Sequence, residues 1–150
     1  MATGWDLEKL MSQAAEAVTG RNVSVKFIEP ISDYASAELT RSPWGAHMRI
    51  NPANTYDEIY LSFCHEVGHV KHDWDKIKIT NAHLSESRSK TTPDFERKII
   101  KRSDMERRAE TFAVRLAAWG KKKSWDVYVP DSLPPIFGWL QAIIKYPDIR

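Results

Sequence analysis

The stretch LSFCHEVGHVKHDW, residues 61–74, constrains this chain more than any other. His65, His69 and His72, three of the five histidines, fall within eight positions, and Glu66 follows the first of them. The core of the stretch, His65-Glu66-Val67-Gly68-His69, has the form HExxH. On an α-helix, positions i and i+4 differ by about 40° and one turn of rise. Both imidazoles then point to one side and can hold one metal ion. Glu66 lies about 100° from His65, on the flank, within reach of a water on that ion. Zinc lowers the pKa of such a water to roughly 7. Glu66 is suited to take the proton and return it to a leaving amine. By chance the pattern turns up in a chain of this size roughly once in a few hundred.

The surrounding pattern supplies the helix the motif needs. Ile59, Phe63, Val67 and Val70 form an apolar stripe that predicts a helix over 57–73. Upstream, 5–18 reads as a helix with Gly20 as its stop, and 23–28 as a strand. A second strand is expected around 33–39 and a third at 46–51, after the turn at Pro43 and Gly45. Together they suggest a small, mostly antiparallel meander. Residues 74–92 are polar and without period, which predicts a long loop. Thr92-Pro93 is a good start for a helix running to Trp119, with Gly120 as its end. Residues 134–146 predict a last short helix. The length of 150 residues suggests one domain, 1–150, of the α+β class.

A catalytic zinc takes three protein ligands and keeps one position open. Four residues are candidates for the third ligand. His72 shares the face of His65 but stands about 10 Å along the axis. Asp75 sits where an HExxHxxGxxD arrangement would put its aspartate, but position 72 is His rather than Gly. His83 could reach in from the loop. Glu106 has the best physical argument. Projected at 100° per residue, Phe95, Ile99, Ala113 and Ala117 fall within about 20° of it. A carboxylate centred on a face that should be buried must be paired, hydrogen-bonded or bound to metal. Glu110, one turn on, could accept a proton from a ligand imidazole and fix its tautomer. The competing reading is a capping box, Ser103 to Glu106, at the start of a separate helix.

HEVGH followed by ERRAETFAVRLAA (106–118) resembles the ImmA/IrrE family of small gluzincin metallopeptidases. The family pattern is HExxH, then a helix of the form E-x-x-A-(N/D)-x-F-A-x-x-L. Glu106, Ala109, Phe112, Ala113 and Leu116 match it, and the likeness spans about 46–118. It implies His65, His69 and Glu106 as zinc ligands and Glu66 as general base, on a minimal zincin-like domain. That domain packs a small sheet on the HExxH helix and the Glu-bearing helix. Position 110 departs from the pattern, being Glu rather than Asn or Asp, and no Leu-Met-Pro follows Leu116. The resemblance further implies an intracellular, often phage-encoded peptidase, with a transcriptional repressor as one kind of substrate. In such folds an edge strand can pair with an extended peptide, and 46–51 is the candidate here.

The rest of the composition bounds the alternatives. One cysteine, Cys64, excludes an intramolecular disulfide framework and fits a reducing, cytoplasmic setting. Charged residues interrupt the first twenty positions, so no secretory signal is read there, and no run suggests a membrane span. Net charge is only +2, but 86–123 holds twelve Lys/Arg against six Asp/Glu. That asymmetry keeps nucleic acid or an acidic partner in view. It supports a rival reading, a metal-stabilised binding module that contacts a repressor or DNA without proteolysis. A third reading is a structural zinc site closed by His72 or His83. Candidates to steady a developing oxyanion are Tyr56, Tyr60, His47, Arg49 and His83.

Overall fold

The computed structural model describes residues 6–28, 37–77 and 93–149, with the backbone alone described for 93–103. The described elements are four helices and a three-stranded sheet, an α+β arrangement. Helix α1 spans Leu7–Thr19, β1 Val23–Phe27, β2 Ala37–Ser42 and β3 Gly45–Ile50. Helix α2 spans Tyr56–His72, α3 Pro93–Lys123 and α4 Ile136–Lys145. Short 3-10 turns at Trp74–Lys76 and Ser124–Asp126 follow α2 and α3. Part of the expected second strand, 33–36, and most of the expected loop, 78–92, lie outside the described residues.

Helices α1 and α2 each have a local cause. The Asp6 carboxylate accepts the Lys9 N–H at 3.3 Å to cap α1, and Gly20 ends it at φ +73°, where a side chain would be strained. Thr55 and Glu58 form a reciprocal capping box at the start of α2. Their mutual bonds hold the Glu58 carboxyl below its usual range, the Thr55 backbone N–H first. One core cluster gathers Leu10, Met11 and Ala14 of α1 with Met48 and Ile50 of β3 and Phe63 and Val67 of α2. Leu116 of α3 and Leu140 and Ile143 of α4 complete it.

The sheet corrects two expectations. Its order is β1-β3-β2, and β1 runs parallel to β3 while β2 runs antiparallel. The sheet is therefore mixed, and 46–51 lies on the central strand. Strand chemistry explains the order. β3 buries Ala46, Met48 and Ile50, whereas β2 (AELTRS) is half-buried throughout and suits an edge. With both neighbours paired, β3 has no ladder left for a peptide. The outer edge of β1 is also engaged by α1: the Phe27 N–H donates to Glu8 at 2.6 Å and the Ser12 hydroxyl donates to the Val23 carbonyl.

Helix α3 also differs from expectation at Gly120. It continues through Gly120 to Lys123, 31 residues or about 46 Å. Gly120 serves packing, not termination. A Cβ there would stand 2.2 Å from the Tyr60 hydroxyl and 3.0 Å from the Trp139 carbonyl. That buried hydroxyl donates to the Ala117 carbonyl at 2.9 Å, which ties α2 to α3. The unbroken helix through 103–106 also removes the capping-box reading of Glu106.

Gly68 makes the same kind of approach nearer the motif. A Cβ on it would lie 2.9 Å from the Ala109 carbonyl oxygen and 3.0 Å from the Ala109 Cα. The two helices touch backbone to backbone at this point, which brings the Glu106 carboxylate to the histidines. Gly68→Val should force the helices apart, with a stability loss of about 1–3 kcal/mol and weaker metal binding. Denaturant unfolding beside a zinc titration checks both; unchanged values would mean that the close approach is not needed.

Candidate metal centre

Helix geometry and one long-range contact bring the predicted ligands together. His65 and His69 stand one turn apart on α2, with ring centroids 4.9 Å apart. Glu106 comes from α3. Its two carboxylate oxygens divide between the histidines, one 2.7 Å from His65 Nε2 and the other 3.2 Å from His69 Nε2. The three donor atoms lie within 4.8 Å of one another. Ligands about 2.05 Å from a tetrahedral zinc stand roughly 3.3 Å apart, so small side-chain adjustments suffice. His65, His69 and Glu106 are therefore close enough to hold one metal ion.

The donor chemistry fits as well as the distances. His65 Nδ1 lies 2.9 Å from a Glu110 oxygen, and His69 Nδ1 lies 3.2 Å from an Asp73 oxygen. With a metal on the Nε2 side, a carboxylate against each Nδ1 would make that nitrogen the N–H donor and leave each Nε2 lone pair for the ion; without it, His65 Nε2 faces a Glu106 oxygen as a proton donor. Glu110 thus makes the contact expected of it, and its longer side chain spans the gap.

Asp73 was not picked out from the sequence. It closes α2: its N–H donates to the His69 carbonyl at 2.8 Å, and its carboxylate folds back on the His69 ring. Burial of that carboxylate is complete, and Arg108 of α3 compensates it with a 2.6 Å ion pair. The signal available was the i+4 spacing from His69; the partner, 35 residues on, gave none. Asp73→Asn should weaken zinc binding about 10- to 100-fold, the usual cost of losing such an orienting group. A competition titration reads it directly; wild-type affinity would refute the orienting role.

The remaining candidates are placed elsewhere or not described. The His72 ring sits edge-on to Phe112, centroids 5.1 Å apart. Asp75 belongs to the 3-10 turn, its carbonyl 3.5 Å from Arg41 Nη2. His83 lies outside the described residues. Tyr60 is fully buried and bonded to α3, so it is no oxyanion donor. His47 is held across the sheet, Nδ1 3.0 Å from the Ser24 hydroxyl and Nε2 2.8 Å from that of Ser42. Cys64 is fully buried, as expected, and burial pushes its thiol pKa up, which leaves little thiolate for redox chemistry.

Protonation and metal binding compete at His65. Burial pulls its pKa down, but the hydrogen bonds from Glu110 and then Glu106 outweigh that, and the net shift is upward from 6.5. In the metal-free chain the imidazolium's stabilisation is fully present below the unfolded pKa. It is lost as pH rises through the higher folded value. Zinc must displace this proton, so its affinity should fall about tenfold per pH unit below that raised value. Zinc titrations from about pH 5.5 to 8 should place the start of the fall above about pH 6.5. A fall beginning only below that point would contradict the raised His65 pKa.

Comparison with protein-family models, with curated proteins and with solved structures gave no match. Among the described residues, no helix is long and apolar enough to cross a membrane.

Proposed function

We propose that the chain is a zinc-dependent endopeptidase built on a minimal zincin-like domain. The observation that carries this reading is the cluster of His65, His69 and Glu106, with both outer imidazole nitrogens held by carboxylates. Three protein donors with a solvent-facing side are what a hydrolytic zinc site uses. The Glu106 side chain is 46% exposed and that of His65 21%, so the cluster is open to solvent. Zinc held there supplies Lewis acidity that acidifies water and polarises a peptide carbonyl. Glu66, half-buried beside His65, takes the proton of the attacking water on a carboxylate oxygen and returns it to the leaving amine nitrogen. Glu110 and Asp73 orient the two rings through Nδ1, so that each Nε2 would face the metal once it has displaced the proton there.

The resemblance to the ImmA/IrrE family supports the same reading and suggests the substrate class, a specific intracellular protein such as a transcriptional repressor. A cytoplasmic setting belongs to that proposal. If a peptide adds to the sheet, β2 is the strand left for it among the described residues, since β3 is central and α1 engages β1.

One observation favours the binding-module reading. Lys71 and Arg115 stand near His72 beside the Arg108–Asp73 ion pair, and the His72 pKa is lowered by burial first and then by Lys71, against an upward pull from Asp73. A cationic patch of this kind suits an acidic partner or DNA. The test of the peptidase reading is zinc content of the purified chain together with cleavage of a random-sequence peptide library. One zinc per chain with cleavage is expected. A well-folded chain that refuses added zinc would overturn the reading.

A further inference from the structure

Helices α2 and α3 run antiparallel along the site, and their groove repeats once per turn. His69 faces Glu106 at 3.2 Å. Four residues back on α2 and four forward on α3, His65 faces Glu110 at 2.9 Å. Continuing that register by one more step of four makes Leu61 and Val114 the next residues along the two helices. Both are large and apolar, yet Leu61 is 51% exposed and Val114 59%. A step of four advances about 6 Å and turns about 40°, so each of these apolar side chains lies roughly one turn along its own helix from the His65–Glu110 pair, on an exposed face. Neighbouring residues on the same two helices are closed off from solvent. Tyr60, Cys64 and Leu116 are fully buried, and the Tyr60 hydroxyl is bonded to the Ala117 carbonyl. The step beyond brings Asp57 and Ala118, both exposed.

We propose that Leu61 and Val114 form a subsite for a large apolar side chain of an extended peptide, close to the bond that is cut. The proposal rests on the peptidase reading above. Two side chains make too small an area for a stable partner protein, which needs about 800 Å² on each side. They are sufficient for one Leu, Ile, Met or Phe side chain. An extended peptide advances about 3.3 Å per residue, so a side chain within two residues of the scissile bond reaches a shelf about 6 Å away. With Tyr60, Cys64 and Leu116 buried beside them, the two side chains offer an apolar surface, which favours apolar character over one particular shape.

The test uses the zinc-loaded full chain, wild type beside Leu61→Gln and Val114→Gln, on a random-sequence peptide library with cut sites mapped by mass spectrometry. Glutamine keeps helix propensity at these exposed positions, and neither residue belongs to the metal or proton-transfer groups. Wild-type cuts should be enriched for large apolar residues at one position within two of the scissile bond. Each variant should lose that enrichment by about tenfold or more while keeping one zinc per chain. Cutting without such a preference, or variants that retain it, would overturn the subsite and leave the peptidase reading standing. No cutting by the zinc-loaded wild type would overturn the peptidase reading and the subsite with it.

Discussion

Glu66→Gln is expected to keep one zinc per chain and to lose peptide hydrolysis by about 10²- to 10⁴-fold, the usual contribution of a positioned general base. The amide has nearly the same volume but cannot take a proton at neutral pH. None of the distances that assemble His65, His69 and Glu106 passes through Glu66, so their spacing should hold, while loss of the Glu66 charge removes one of the influences that raise the His65 pKa. Zinc content and library cleavage, measured on the same preparation, separate the two roles. A variant that cuts at the wild-type rate would remove Glu66 from the mechanism. If neither form cuts but both still act on a transcriptional target, the chain works as a metal-stabilised binding module.

Much of this site could be read from the sequence because helices are local. The i, i+4 spacing put His65 and His69 on one side, and projection of a second helix put Glu106 at the centre of the face expected to be buried, where the structure instead leaves its side chain 46% exposed at the edge of the contact with α2. Glu110 followed from the same projection, one turn further on. The structure adds the contact between helices that makes those two local statements one site. That contact depends on Gly68 lying against Ala109, a pairing between residues 41 positions apart that no periodicity announces.

What could not be read is non-local in the same sense. Strand order depends on which edges meet, and β3 between β1 and β2 is not written in the alternation of any one strand. Gly120 reads as a stop by propensity, but the Tyr60 hydroxyl needs the space a side chain would fill, and packing overrides propensity there. Asp73 follows the apolar run and resembles an ordinary polar residue at a helix end. Its place is set by Arg108 on the other helix, which makes a buried carboxylate tolerable.

Glu106→Ala should lower zinc affinity by about 10²- to 10³-fold. Structural zinc sites bind with roughly 10–16 kcal/mol shared among four ligands, so one ligand is worth about 3 kcal/mol. The loss should exceed that of Asp73→Asn, because an orienting group only aims a ligand whereas Glu106 is expected to be one. The metal-free fold should change little, since the Glu106 side chain is 46% exposed and Glu110 still pairs with His65. Zinc content after dialysis against a mild chelator, with unfolding curves on the metal-free forms, reads both quantities. Undiminished zinc in the variant would move the third ligand elsewhere. His72 rests on Phe112 and Asp75 sits in the turn beyond the helix, so His83 would become the residue to replace next. A ligand drawn from 78–92 would make that segment part of the metal site. The open side on which the proposed peptide path depends would then have to be found again.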